Sequence, residues 1–413
     1  MNERRIILLV STLLGFESMM YSALTPLLPH YEHALHVAKP AVGLLTAAYP
    51  AGIIPGSLIG AWVAARLGVR RATLIGLAMF AVAIAPFGFV DQIVALDLLR
   101  VAQGVGCGLI WVGGLTWVIA AAPRERRGAM LGSVFAAAIL GTLLGPILGI
   151  VAVAAGTAPP FAFVGVLALA LAVWTHAHEQ PAAGEAGERE RRPALRALAA
   201  NRPMLLGFWL IALEAGTIGA TSTLLPLRLA HFGASGIVIG ATFAIASLVA
   251  MQMTRPIGVL VDRRGPRPPL YFGLSLTALL MVALTLPTSV LGLAIVTVIA
   301  LGGPLSAYAI PAMTMITDAS ERSAVPLVVA SMLLNLAWAS GEMTGAPVAA
   351  SLAQVTSDAV PLLALAVLMA ATLVPVRRMR IAGSGADAAA PGPTRNEDIP
   401  VASAPPAALA GRR

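Results

Sequence analysis

Polar residues are sparse along this chain and come in short bursts between long apolar runs. The runs cover approximately 6–28, 40–64, 72–90, 93–122, 129–155 and 159–175, then 204–227, 236–260, 269–287, 289–316, 324–353 and 359–376. A helix that crosses a hydrocarbon layer of roughly 30 Å needs roughly 20 apolar residues, so each run suits one crossing. None alternates with the period of two expected of a barrel strand, and a bilayer admits only helices or closed barrels. The pattern therefore predicts an all-α membrane protein with twelve transmembrane helices, six in each half. The 40 glycines and 30 prolines do not oppose this, because membrane helices tolerate both.

Composition points the same way. With 58% hydrophobic and 11% charged residues in 413, and a mean hydropathy of +0.86, an ordinary soluble globule is excluded. The net charge of +8 would suit a nucleic-acid binder only if it were clustered on a water-exposed face, and here it is divided among short loops. A single cysteine, Cys107, excludes an intrachain disulfide framework and a cysteine-based zinc site. His30, His33 and His36 beside Glu32 invite a metal reading, but a solvated outer segment accounts for them better, and no metal or cofactor is expected. Lys39 is the sole lysine, so there is no phosphate-binding Gly-x-x-x-x-Gly-Lys-Ser/Thr loop. Neither a Gly-x-Ser-x-Gly elbow nor a His-Glu-x-x-His pair is present, so the chain is not expected to be an enzyme.

Of the 27 basic residues, Lys39 and Arg228 fall in outer loops and Arg100 inside a run, which leaves 24 on the side of both termini, counting Arg255 five residues from the inner end of its run. The positive-inside rule then puts both ends in the cytoplasm, in a plasma (inner) membrane. The first 23 residues also have the outline of a signal peptide, but Glu17 interrupts the apolar stretch and the stretch recurs later in the chain. The expected organisation is a first six-helix half (1–176), a charged cytoplasmic linker (177–203), a second half (204–376) and a disordered tail (377–413). Twenty-six arginines against one lysine, with abundant alanine, suggest a GC-rich bacterial source.

Sliding the second half over the first by 197 positions aligns Glu17 with Glu214, Pro29 with Pro226, Gly43 with Gly240, Arg66 with Arg263 and Gly68 with Gly265. The paired glutamates carry most weight, since they are rare. At 1.5 Å per residue both lie about 15–16 Å deep, near the midplane. Two parallel six-helix repeats place a binding site between the halves at that depth, the arrangement used for alternating access.

Gly258-Val259-Leu260-Val261-Asp262-Arg263-Arg264-Gly265-Pro266-Arg267 resembles the loop signature of the major facilitator superfamily. The first half keeps Arg66, Gly68, Arg70 and Arg71 of it, with Ala61 and Ala65 in place of the expected Gly and Asp. Arg100 followed by Gln103-Gly104-Val105-Gly106 is similar to the family's second motif, and Gly141-x-x-x-Gly145-Pro146-x-x-Gly149 to the motif associated with antiporters, with Ile150 where a last glycine is usual. The resemblance implies a secondary transporter of the twelve-helix drug/proton antiporter type. It also implies that Arg66, Gly68, Asp262, Arg263, Gly265 and Arg267 form gating loops whose charge pairs break when that side opens. Gly141, Gly145 and Gly149 share one helix face and with Pro146 form a packing device first.

A charge at a helix centre costs about 2.5–3.5 kcal/mol, which makes Glu17, Glu214, Arg100 and Glu342 candidates for proton or substrate coupling. A carboxylate there can be carried neutral in one conformation and ionised in another, as a proton-coupled carrier requires. On one helix face Arg100, Gln103, Cys107 and Trp111 follow three- and four-residue steps. Gln103 and Trp111, with Tyr21, Tyr308 and Asn335, are the expected substrate-cavity residues, whereas Trp338 reads better as packing. The expectation is proton-coupled efflux of drugs or small amphipathic metabolites by a monomer whose partners are a small-molecule substrate, protons and the lipid bilayer. Proton-coupled nutrient uptake is the alternative, and a non-transporting sensor with a transporter fold is the alternative of another class.

Overall fold

The computed structural model describes residues 3–121, 127–177, 201–322 and 327–378. Most of the expected linker and tail therefore lies outside the described residues. In chain order the helices are α1 (Glu3–Ser22), α2 (Leu28–Ala34), α3 (Lys39–Leu67), α4 (Val69–Phe87), α5 (Ile93–Ala121), α6 (Arg127–Ala155) and α7 (Ala158–His176). The second series is α8 (Arg202–His231), α9 (Gly236–Arg264), α10 (Arg267–Ala283), α11 (Val290–Gly302), α12 (Pro304–Arg322), α13 (Leu327–Val355) and α14 (Ala359–Arg378). A 3₁₀ turn at Thr25–Leu27 joins α1 to α2 as one crossing, and α11 with α12 makes another. Among the described residues ten segments are long and apolar enough to cross a membrane, and the 17-residue α10 and the 29-residue α13 bring the series to twelve.

Local chemistry explains the boundaries. Asn201, Ser235 and Ser289 cap α8, α9 and α11, their side chains accepting from Met204, Val238 and Gly292 amides. The tenth apolar run, expected to be one helix, breaks at Gly303 (φ −149°, ψ −51°) because Pro304 has no N–H and disfavours a helical residue before it. The first run continues beyond its apolar part to Ala34, since Pro26 and Pro29 sit in first-turn positions where proline is tolerated. The expected gating loops contract to tight turns around Gly68 (φ 91°) and Gly265 (φ 74°).

The repeat is visible in the helix ends. α3 and α9 each have 29 residues, and Lys39 and Gly236, like Leu67 and Arg264, lie 197 positions apart. The register slips later, for α6 and α13 start 200 apart and α7 and α14 start 201 apart. Packing divides along the same line, with one apolar core in the first six crossings and another in the last six. Large apolar side chains such as Val82, Phe163, Val173 and Leu286 stand more than 60% exposed on the outside, as lipid-facing residues do.

Helices pair through backbone contact rather than through large side chains. A Cβ on Gly52 or Gly56 of α3 would press into the α5 backbone at Val101 and Val105, and one on Gly104 of α5 would meet the Tyr49 carbonyl. On α6, Gly141 lies against the Gly15 carbonyl of α1 and Gly145 against that of Met19. The second half repeats this: Gly341 of α13 lies against the Ala212 carbonyl of α8, and Gly345 against that of Gly216.

Candidate functional site

The close approach of α3 and α5 brings Tyr49 beneath Arg100, whose guanidinium carbon lies 4.4 Å from the ring centroid. Arg100 donates to Gln103 Oε1 at 3.1 Å, and Gln103 Nε2 donates in turn to the Ala83 carbonyl at 3.4 Å. The Tyr49 hydroxyl donates to Glu17 Oε1, while Trp111 Nε1 donates to Glu17 Oε2 at 2.7 Å. Glu17 is 3% exposed, and both of its oxygens are thus satisfied from within its own half.

Between the halves lies a chamber of two lobes, 380 Å³ and 260 Å³. They share Tyr21, Ile139, Thr142, Glu214 and Trp338, so the two lobes adjoin, with walls from both repeats. Glu214 faces it with no hydrogen-bond partner among the described residues. Most hydroxyls in the wall donate to backbone carbonyls: Thr142 to Ala138, Thr221 to Thr217, Ser222 to Gly219 and Ser247 to Phe243. What remains is a largely apolar and aromatic surface with one unpaired carboxyl group.

The chamber is closed at the end away from the termini. There Lys39 pairs with Asp358 at 2.5 Å across the two halves, and Thr223 Oγ1 donates to Thr46 Oγ1 at 3.2 Å. Gly43 lies against Ala346 and Ala350, and Gly240 against Pro146 and Ile150. Gly132 of α6 and Gly258 of α9 stand in open space, where a Cβ would meet nothing within 4 Å.

Of the residues singled out in the sequence, Glu17, Tyr21, Trp111, Glu214 and Asn335 line the chamber together. Arg100, Gln103, Tyr308 and Glu342 are fully or almost fully buried and stand outside its lining. Arg66, in the last turn of α3, lies 5.1 Å over the Trp62 ring, and Arg263 and Arg267 flank Gly265. The side chain of Asp262, expected in the second gating loop, lies outside the described residues. Trp338 both packs against the two cores and lines both lobes. Tyr49, Phe135, Thr142 and Phe243 were not singled out; only Tyr49, a lone phenol in an apolar run, and Thr142, next to Gly141, carried any signal.

A family model described as Major Facilitator Superfamily matches residues 10–342. Over 267 residues the chain is 26% identical to the uncharacterized MFS-type transporter YcaD of Escherichia coli O45:K1 (strain S88 / ExPEC), covering 63% of this chain and 68% of that protein. YcaD of Shigella flexneri serotype 5b (strain 8401) aligns with the same identity and coverage. The crystal structure of a mutant of the nucleoside transporter NupG shares the fold, with a TM-score of 0.69 over 90% of this chain and 98% of that chain at 15% identity.

Proposed function

The chain belongs to the Major Facilitator Superfamily and is a multi-pass membrane transporter, and from that premise we propose that it exports drugs or small amphipathic metabolites in exchange for protons. The observation that carries this is Glu214, an unpaired carboxyl group facing both lobes of a chamber between two repeats. A proton or a cationic group can occupy it in turn, which is what exchange requires. Glu17 is the second coupling carboxylate, with Tyr49 and Trp111 setting its position, and Arg100 supplies the nearby positive charge. A sugar-like solute would need several free donors and acceptors, whereas the wall hydroxyls donate to their own helices, so an aromatic or amphipathic solute suits the chamber better.

On this reading both termini face the cytoplasm across a bacterial inner membrane, which the distribution of basic residues supports. Two six-helix halves, 1–176 and 204–376, move about the chamber, joined by the 177–203 linker and followed by the 377–413 tail. The loops with Arg66, Gly68, Asp262, Arg263, Gly265 and Arg267 gate the cytoplasmic mouth. The protein acts as a monomer without cofactor or catalytic chemistry. One charge moving through about 100 mV contributes about 2.3 kcal/mol, enough for roughly a fifty-fold solute gradient before any pH difference is added.

The test is transport in proteoliposomes with an imposed pH gradient, using ethidium as an aromatic cation and uridine as a hydrogen-bonding solute. Exchange predicts ethidium movement against the proton flow, lost in Glu214→Gln and weakened in Glu17→Gln. Movement of uridine with the protons would show uptake instead, and gradient-driven flux unchanged in both variants would overturn the carboxylate assignment.

A further inference from the structure

Three carboxylates reach the middle of the molecule, and each is bound differently. Glu17 is held by donors of its own half, and Glu214 faces the chamber unpaired. Glu342 alone crosses between the halves. Its side chain leaves α13, passes over Gly219 of α8, where an added Cβ would crowd its Cγ at 3.0 Å, and accepts at Oε1 from the Tyr21 hydroxyl of α1. The other oxygen, Oε2, is buried with no partner, and the residue is 0% exposed.

Tyr21 has two surroundings at once. Its ring lines both lobes of the chamber, while its hydroxyl bonds Glu342 behind the wall. Trp338, one helical turn before Glu342, packs edge-on against that ring with centroids 5.3 Å apart and lines the same lobes. A solute touching Tyr21 or Trp338 therefore presses on the bond between the halves without reaching Glu342 itself.

We propose that the Tyr21–Glu342 hydrogen bond is the central lock of the far-end closure, and that Tyr21 is the positioning residue through which an occupant of the chamber acts on that closure. Two other polar contacts between the halves are weaker candidates. Lys39 and Asp358 are 28% and 24% exposed and are screened by water, and Thr46 with Thr223 is a single neutral pair. The Tyr21–Glu342 bond is buried, involves a carboxyl group and sits where the two repeats and the chamber meet. The proposal rests on the alternating-access reading but not on protons, direction or solute.

The experiment is a pair of spin labels on exposed positions of the far end, Asp91→Cys and Thr288→Cys in a Cys107→Ala background, read by pulsed dipolar distance measurement on the full chain in detergent. The parent is expected to populate mainly the short, far-end-closed distance. Tyr21→Phe and Glu342→Gln should each increase the far-end-open fraction at least fivefold, and the double variant should go no further than the larger single. Lys39→Ala should shift it less than either. Should Glu342→Gln fail to fold, Tyr21→Phe, which removes one oxygen, carries the test, with the thermal midpoint as the check on folding. Parent-like distances in folded Tyr21→Phe, or strictly additive effects in the double variant, would overturn the proposal. Loss of ethidium transport without any distance change would count against the proposed lock and leave the transport reading standing.

Discussion

Trp111 and Glu17 are joined by a 2.7 Å hydrogen bond between α5 and α1, and Tyr49 of α3 closes on the other oxygen of the same carboxylate. Three helices are tied to one buried acid. Bonds between membrane helices are worth about 0.6 kcal/mol on average, whereas bonds to charged groups in soluble proteins reach about 1.5–3 kcal/mol. Trp111→Phe and Tyr49→Phe are each expected to cost about 1 kcal/mol, and the double variant more than the sum, because it leaves the carboxylate with only the Ser18 contact. Thermal unfolding in detergent reads this; a strictly additive double variant would contradict it.

The glycine contacts give a matched pair across the repeat. Gly141→Ala drives a methyl group into the Gly15 carbonyl, and Gly341→Ala drives one into that of Ala212. Each should lose about 1–3 kcal/mol by overpacking. Gly132→Ala, on the same helix as Gly141 but in open space, should gain up to about 1 kcal/mol from helix propensity. Equal losses at all three positions would mean that the contacts are not what these glycines serve.

The two turn glycines make a second matched pair. Gly68 (φ 91°, ψ 157°) and Gly265 (φ 74°, ψ 174°) occupy backbone conformations that are essentially restricted to glycine. Alanine at either position should cost about 1–3 kcal/mol and lower the yield of folded protein, while Gly258→Ala, inside α9, should not. The comparison can be made by size-exclusion chromatography and thermal midpoint.

The half-buried, water-screened ion pair should matter little. For Lys39→Ala or Asp358→Ala about 0–1 kcal/mol is expected, diminishing as salt is raised. A loss above that range, persisting in high salt, would mean that the far end is held by this pair rather than by the buried contacts.

The number, order and repeat of the crossings were legible because a bilayer imposes length and apolarity on every one of them. Which way a side chain points was harder to read. Lipid and protein core are both apolar, so a membrane helix carries little amphipathic contrast to show its face. That is why Gln103 and Tyr308, expected in the cavity, lie behind its wall, and why Trp338 was read only as packing. The step of Tyr49 beneath Arg100 depends on Gly52 and Gly104 letting two backbones touch, a relation between distant segments that no local pattern displays. The break at Gly303 was local, but one of four Gly-Pro steps in a chain that tolerates proline within its helices is ambiguous until the helices are placed.

The central claim is that a proton and a solute compete for Glu214, and proton release on binding tests it most directly. Ethidium is added to the detergent-solubilised parent in weakly buffered solution containing a pH indicator, and the same addition is made to Glu214→Gln. The account predicts that binding acidifies the solution for the parent and leaves it unchanged for Glu214→Gln. Ethidium binding by the parent without proton release, or equal release from both proteins, would contradict it.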